Sequence, residues 1–81
     1  MLYFAWVREQ IGTGHERVSP PPGVASVGDL VDWLATTSDC HALAFADRSR
    51  LRAAIDQLFV GMDAPIAGAR EIAIFPPVTG G

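Results

Sequence analysis

The chain contains no lysine, and all six of its positively charged side chains are arginine. A protein that builds chains of its own copies through isopeptide bonds needs a lysine on each copy, so that function lacks its acceptor site. With nine acidic residues, the formal net charge is −3. Nucleic acid is therefore a disfavoured partner, because proteins that bind it carry clustered positive charge. The alternating Arg48, Arg50 and Arg52 most simply form a solvated loop.

Cysteine is nearly absent as well, since Cys40 is the only one. One cysteine excludes an internal disulfide framework and any CxxC zinc site. It favours a reducing compartment, so we expect a cytoplasmic protein with Cys40 as a small core residue. No basic segment followed by an apolar run opens the sequence, and no apolar stretch approaches the roughly 20 residues of a membrane span. We therefore expect neither export by that route nor membrane insertion.

Residue patterns typical of an active site are also missing. His15 and His41 are far apart in the sequence. Cys40 is next to His41, but no residue is apparent that would orient the histidine as a base. No glycine-rich phosphate loop follows a predicted strand. We therefore expect no catalytic constellation, no bound metal and no bound cofactor in this chain.

The apolar residues that are present suffice for one small domain, since 49% of the 81 residues are hydrophobic. A chain of this length buries roughly 60% of the surface that its unfolded form exposes. The apolar pattern predicts a first strand over residues 1–7, with both faces apolar. A turn at Gly12 and Gly14 then leads to the second strand of a hairpin, over residues 16–19. The prolines of residues 20–22 end this strand.

A helix is predicted next, over residues 27–37. Ser26 and Asp29 have the spacing of a capping box, in which each caps the backbone of the other. A short helical turn is expected over residues 40–46. The side chains that should face the core from these helices are Leu30, Trp33, Leu34, Leu43 and Phe45.

The second half of the sequence predicts three strands. Residues 51–55 and 58–60 form a hairpin around Asp56-Gln57, where aspartate tolerates the positive φ of a two-residue turn. A turn over residues 65–68 precedes the last strand, residues 71–75. Alternation directs Leu58, Val60, Ile72 and Ile74 inward and Phe59, Glu71, Ala73 and Phe75 outward.

The last stretch, Phe75-Pro76-Pro77-Val78-Thr79-Gly80-Gly81, is the most distinctive. Two prolines fix φ and supply no backbone N–H, so the chain must leave the sheet extended after Phe75. At about 3.3–3.6 Å per residue, residues 76–81 can reach roughly 20 Å from the domain. Two glycines fit a narrow channel because they have no Cβ. We therefore divide the chain into a domain over residues 1–75 and an extended tail over residues 76–81 that ends in a carboxylate.

This tail resembles that of the small, sulfur-carrying subunits of molybdopterin synthase, which are ubiquitin-like β-grasp proteins. Similar runs at residues 4–9, 51–60 and 63–66 extend the resemblance over nearly the whole chain. It implies an α+β fold in which a mixed sheet carries one main helix on one face. It also implies that the first and last strands lie side by side, parallel, at the centre of the sheet.

The resemblance further implies a mechanism. An E1-like activating enzyme uses ATP to join the Gly81 carboxylate to AMP, and a persulfide donor converts it to a thiocarboxylate. The tail then enters the large catalytic subunit, where its sulfur passes to cyclic pyranopterin monophosphate to form molybdopterin. The implied complex is a heterotetramer of two large and two small subunits, without nucleic acid or membrane. This chain would be its non-catalytic, sulfur-donating subunit.

Adjacent first and last strands would place residues from both chain ends on one surface. We therefore predict an outward apolar patch beside the exit of the tail. Its members are Phe4, Phe59 and Phe75, with Leu2 and Trp6 beside them. Together with the resemblance, this patch gives partner-binding residues Phe4, Arg8, Phe59, Phe75, Pro76, Pro77, Val78 and Thr79, and a reactive end at Gly80 and Gly81.

Three other functions are compatible with the sequence. A sulfur carrier of another pathway, such as thiamine thiazole synthesis, shares the diglycine, although the Phe-Pro-Pro-Val spacer and the chain length favour the molybdopterin carrier. A protein modifier joined to lysines of other proteins needs the same activation. A binding module would use only the apolar face and would not need Gly81.

Overall fold

The computed structural model describes residues 1–77, and residues 78–81 lie outside the described part. In chain order the elements are β1 (Leu2–Tyr3), α1 (Ala5–Ile11), α2 (Val27–Leu34), α3 (Asp39–Ala44), a 3₁₀ turn (Arg48–Arg50), β2 (Arg52–Ile55), β3 (Leu58–Val60) and β4 (Ile72–Phe75). Within this range no helix is both long enough and apolar enough to cross a bilayer. The helices and strands give the α+β architecture that the sequence predicts.

The strands form one four-stranded sheet in the order β1-β4-β2-β3. β1 and β4 pair in parallel, whereas β2 pairs antiparallel with both β3 and β4. Asp56 and Gln57 both adopt positive φ between β2 and β3, as the favoured two-residue hairpin turn requires. The structure thus confirms the parallel pairing of the first and last strands and the Asp56-Gln57 hairpin.

The N-terminal segment departs from the predicted strand over residues 1–7. Only Leu2 and Tyr3 are in β1, and α1 begins at Ala5. Val7 is buried in the core and Ile11 packs against it, whereas Glu9 between them is exposed. A strand would place all three side chains on one face, so this pattern is that of a helix. Gly12 adopts φ 96° and ends α1, and its N–H donates a hydrogen bond to the Arg8 carbonyl. An apolar run alone does not distinguish a strand from a helix.

The predicted second strand over residues 16–19 is also wrong. Leu2 and His15 form an isolated antiparallel bridge, and the backbones of Met1 and Glu16 exchange two hydrogen bonds of 3.0 Å. The ladder extends no further because β1 contains only two residues. Consequently β1 is an outer strand of the sheet, and only β4 of the predicted parallel pair lies at its centre.

One row of paired residues crosses the inner face of all four strands and forms the floor of the core. The row consists of Tyr3, Ile74, Ala53 and Val60. α2 contributes Leu30, Val31 and Leu34 to the same core cluster. Trp33, predicted inward, is only partly buried at its edge.

The predicted capping box at the start of α2 is confirmed. Ser26 Oγ accepts a hydrogen bond from the Asp29 N–H, and the Asp29 carboxylate accepts one from the Ser26 N–H. α2 ends at Leu34, three residues before the predicted 37. The hydroxyls of Thr36 and Thr37 donate to the carbonyls of Trp33 and Leu34 and close the last turn.

Three residues predicted in the core are exposed instead. α3 has six residues and buries His41 and Ala44, so Cys40 and Leu43 lie on its open side. Leu58 begins the edge strand β3 and is 71% exposed. Phe45, by contrast, is buried as predicted.

His41 is buried in a polar network that connects β1, the loop after α1 and α3. Tyr3 Oη donates to Glu16 Oε1 at 2.5 Å, and His41 Nε2 lies 2.7 Å from the same oxygen. Ser38 Oγ and His41 Nδ1 are 2.6 Å apart. Burial raises the pKa of Glu16, but the hydrogen bonds from Tyr3 and His41 outweigh it and hold that pKa below its ordinary value of 4.5. Burial, together with the bond to Glu16, raises the pKa of Tyr3 far above its usual range.

Glu16→Gln should lower the free energy of unfolding by about 1–2 kcal/mol at neutral pH, because it removes a charged acceptor shared by two donors. The pKa of Glu16 is depressed in the folded state, so its stabilisation is fully present above the ordinary value of 4.5 and is lost as pH falls through the folded value. Urea unfolding at neutral pH and at about pH 3 measures this, and the gap between wild type and variant should shrink in acid.

Glu9→Gln, at an exposed position on α1, is the matched control and should leave the unfolding free energy unchanged at both pH values. A gap between wild type and Glu16→Gln that stays constant with pH would contradict this account of the network.

Candidate partner-binding site

The outer face of the sheet carries a second row of paired residues, and this row forms the floor of a groove. Leu2, Ala73, Ala54 and Phe59 are in register across all four strands. Because Ala54 and Ala73 are small, the middle of the row is low and the larger side chains stand around it. The groove has a volume of about 580 Å³.

Aromatic rings form the walls of the groove. Phe59 is 77% exposed and Phe4 is 48% exposed. Phe59 and Phe75 contact each other with ring centroids 5.5 Å apart and form a ridge along one side. Among residues 1–77, the polar side chains in the lining are Gln57 and Glu71. An apolar groove of this kind on a small domain is typical of a protein interface.

The tail begins at this groove. Pro76 and Pro77 line it together with Phe75, the last residue of β4. The Phe4 N–H donates to the Ile74 carbonyl at 3.4 Å, which holds Phe4 beside the end of β4. A protein bound in the groove would therefore lie directly against the first residues of the tail. The predicted residues Val78, Thr79, Gly80 and Gly81 lie outside the described part of the chain.

The structure brings together most of the side chains predicted for the patch or for partner binding, but it separates two. Leu2, Phe4, Phe59, Phe75, Pro76 and Pro77 all line the groove. Trp6, predicted in the patch, and Arg8, predicted to bind the partner, both lie on α1 and do not line it. Trp6 packs at the core with the Arg50 guanidinium 4.9 Å from its ring, and the Arg8 side chain lies against Gly14.

Sequence reasoning missed the two alanines at the middle of the groove floor. Ala54 and Ala73 occupy outward positions in neighbouring strands, and each is less than one-tenth exposed. The alternation of β4 predicted that Ala73 faces outward, but its alignment with Ala54 depends on strand register.

In residues 1–77, no cluster of three or more His, Cys, Asp or Glu side chains is arranged to hold a metal ion. The groove therefore has the chemistry of a binding surface, with apolar walls and little polar lining.

Comparisons with known proteins place this geometry in context. The ThiS family matches residues 1–81. An Escherichia coli protein named molybdopterin synthase sulfur carrier subunit is 42% identical over 81 residues, which cover 100% of this chain and 96% of that protein. A Haemophilus influenzae protein of the same name is 35% identical over 81 residues, with the same coverage of 100% and 96%.

A solved structure supports the fold. The crystal structure of SAMP1 from Haloferax volcanii matches with a TM-score of 0.70 and 28% identity, over 99% of this chain and 94% of that one. The predicted ubiquitin-like β-grasp fold is thereby confirmed.

Proposed function

The chain belongs to the ThiS family, and we propose that it is the sulfur carrier subunit of a molybdopterin synthase. The observation that carries the proposal is the apolar groove, whose wall includes Pro76 and Pro77 at the start of the tail. Full-length similarity to two proteins named as such subunits supports it. On this account the large catalytic subunit binds the groove, and the tail beyond Pro77 enters its active site.

The proposed chemistry takes place at the carboxylate of Gly81. A carboxylate is a poor electrophile, so an E1-like activating enzyme uses ATP to convert it to an acyl-adenylate. The outer sulfur of a persulfide donor then displaces AMP and forms an acyl disulfide. A thiol attacks the donor's sulfur in this disulfide, so a new disulfide forms and the thiocarboxylate is released. The thiocarboxylate sulfur passes to cyclic pyranopterin monophosphate in the large subunit, and two carriers are needed for each molybdopterin. The catalytic groups belong to the partners, so this chain acts as a co-substrate.

The proposal assigns separate tasks to the two parts of the chain. Residues 1–75 form the domain that the partner grips, and residues 76–81 form the tail, which can reach roughly 20 Å when extended. Two carriers would bind two large subunits in a heterotetramer. We place the reaction in the cytoplasm, where an exposed free thiol such as that of Cys40 stays reduced.

Intact mass spectrometry tests the proposal. After incubation with ATP, the activating enzyme and a persulfide donor, the mass of the chain should rise by the difference between one sulfur atom and one oxygen atom. The control without ATP should show no change, because the carboxylate is not activated. Recovery of the chain only in isopeptide linkage to other proteins, with no thiocarboxylate, would favour a protein modifier and refute the proposal.

A further inference from the structure

A second depression lies on the other side of the ridge formed by Phe59 and Phe75, and it contains a positive charge. Its volume is about 240 Å³, and its lining is Arg52, Ala53, Phe59, Val60 and Phe75. We call it the arginine notch. Arg52 on β2 is paired in register with Phe75 on β4, so its side chain starts opposite the last strand residue before the tail.

The guanidinium of Arg52 is only partly used by the fold. Its Nη1 donates to the carbonyls of Ser49 at 3.2 Å and Leu51 at 2.8 Å. Within residues 1–77, its Nε and Nη2 donate no hydrogen bond, and the ion pairs are His41 with Glu16 and Arg48 with Asp32. Arg52 is exposed. It therefore presents two nitrogen atoms, with three N–H donors between them, and a charge outward.

The neighbouring arginines are engaged differently. Arg48 forms an ion pair with Asp32 and donates to the Gly28 carbonyl. Arg50 lies over the Trp6 ring, and its charge helps to hold the pKa of Asp47 below its ordinary value, after the hydrogen bonds from Ser49. Of these three arginines, Arg52 is the one whose charge no side chain of residues 1–77 offsets by an ion pair or ring contact.

Resting on the proposed function, we propose that Arg52 recognises an Asp or Glu carboxylate of the large subunit, flanked there by an apolar side chain. A guanidinium donates two parallel hydrogen bonds to a carboxylate, and the rings of the notch would contact the apolar neighbour. Arg52 attracts a carboxylate, whereas the net charge of −3 on the whole chain repels it. The attraction is therefore confined to the notch.

This contact would fix the direction in which the partner lies. Glu71 lines the groove near the start of β4, whereas Arg52 stands opposite Phe75 at its end. The two charges are thus separated along the strand by about four residues, or roughly 13 Å. The tail leaves β4 at the positive end. An acidic side chain of the partner that binds Arg52 at that end would orient the partner so that its active site faces the tail.

Affinity for the purified large subunit of molybdopterin synthase, measured by calorimetry at low and high salt, tests the inference. We expect Arg52→Gln to bind about fivefold more weakly and Arg52→Glu more than tenfold more weakly. The affinity of Arg52→Gln should also depend less on salt. Arg17→Glu, at an exposed arginine that lines a separate cleft, makes the same change in net charge and should bind like wild type.

A second step identifies the carboxylate. Changing the acidic residue of the large subunit to arginine should restore binding of Arg52→Glu, and only the correct acidic position should do so. Thermal melting of each variant checks the fold, and Arg52→Gln and Arg52→Lys decide the outcome if Arg52→Glu melts early.

The possible failures are distinguishable. If Arg52→Glu binds like wild type while Phe75→Arg does not bind, the role of Arg52 is wrong and the proposed function stands. Equal losses for Arg52→Glu and Arg17→Glu would indicate a general charge effect and would also overturn the inference. If the wild-type chain does not bind the large subunit, the proposed function and the inference both fail.

Discussion

Deletion of Gly81 is expected to abolish molybdopterin formation while the domain stays folded. The shortened chain would end in the carboxylate of Gly80, about 3.3–3.6 Å short of the position that the reacting sulfur must reach. Misplacement of a reacting atom by even about 1 Å can cost a hundredfold in rate. The measurement is product formation in a reconstituted assay with the activating enzyme, a persulfide donor, the large subunit and the pterin precursor.

Two controls make this deletion informative. Its thermal midpoint and its affinity for the large subunit should match wild type, because the deletion leaves unchanged every residue of 1–77 that lines the groove. A Gly81→Trp variant should fail as well, since a channel that admits glycine has no room for an indole. Normal product formation by the deletion variant would instead identify the chain as a module that works through its apolar face alone.

Phe75→Arg is expected to remove binding to the large subunit. Phe75 forms the ridge of the groove with Phe59 and stands directly before Pro76. Aromatic anchors at the centre of an interface typically contribute at least about 2 kcal/mol, or about thirtyfold in affinity, and a charge placed among apolar walls costs more. Calorimetry with the purified large subunit measures the loss.

Leu43→Arg provides the matched control for this change. Leu43 is a large apolar side chain that is 67% exposed, but it lies on α3 and not in the groove. Its replacement adds the same charge and removes a similar exposed apolar surface, so affinity should stay at the wild-type value. Equal affinities for wild type and Phe75→Arg, with both folded, would show that the groove is not the interface.

Local sequence signals predicted the elements whose causes are local. Ser26 and Asp29 cap each other three residues apart, and Asp56 and Gln57 form a turn whose geometry depends on those two residues. The outward positions of Phe59 and Phe75 follow from alternation within single strands. These features required no knowledge of what lies elsewhere in the chain.

The features that were missed depend on distant residues. The strand prediction for α1 was wrong because an apolar run suits either structure. The burial of Val7 and the packing of Ile11, with Glu9 exposed between them, decide for the helix. α3 buries His41 beside Ala44, and the hydrogen bond of His41 is accepted by Glu16, 25 positions earlier. That contact orients the short helix and leaves Cys40 on its exposed side. No local pattern contains this information.

The central place of β4 has a consequence for biosynthesis. β4 lies between β1 and β2. Until the ribosome has made residues 72–75, β1 therefore has no strand to pair with, and β2 pairs only with β3. Completion of the sheet is therefore a late event that depends on contacts distant in sequence. An unfinished nascent chain has not formed the groove. It therefore cannot bind the partner and compete with a finished carrier.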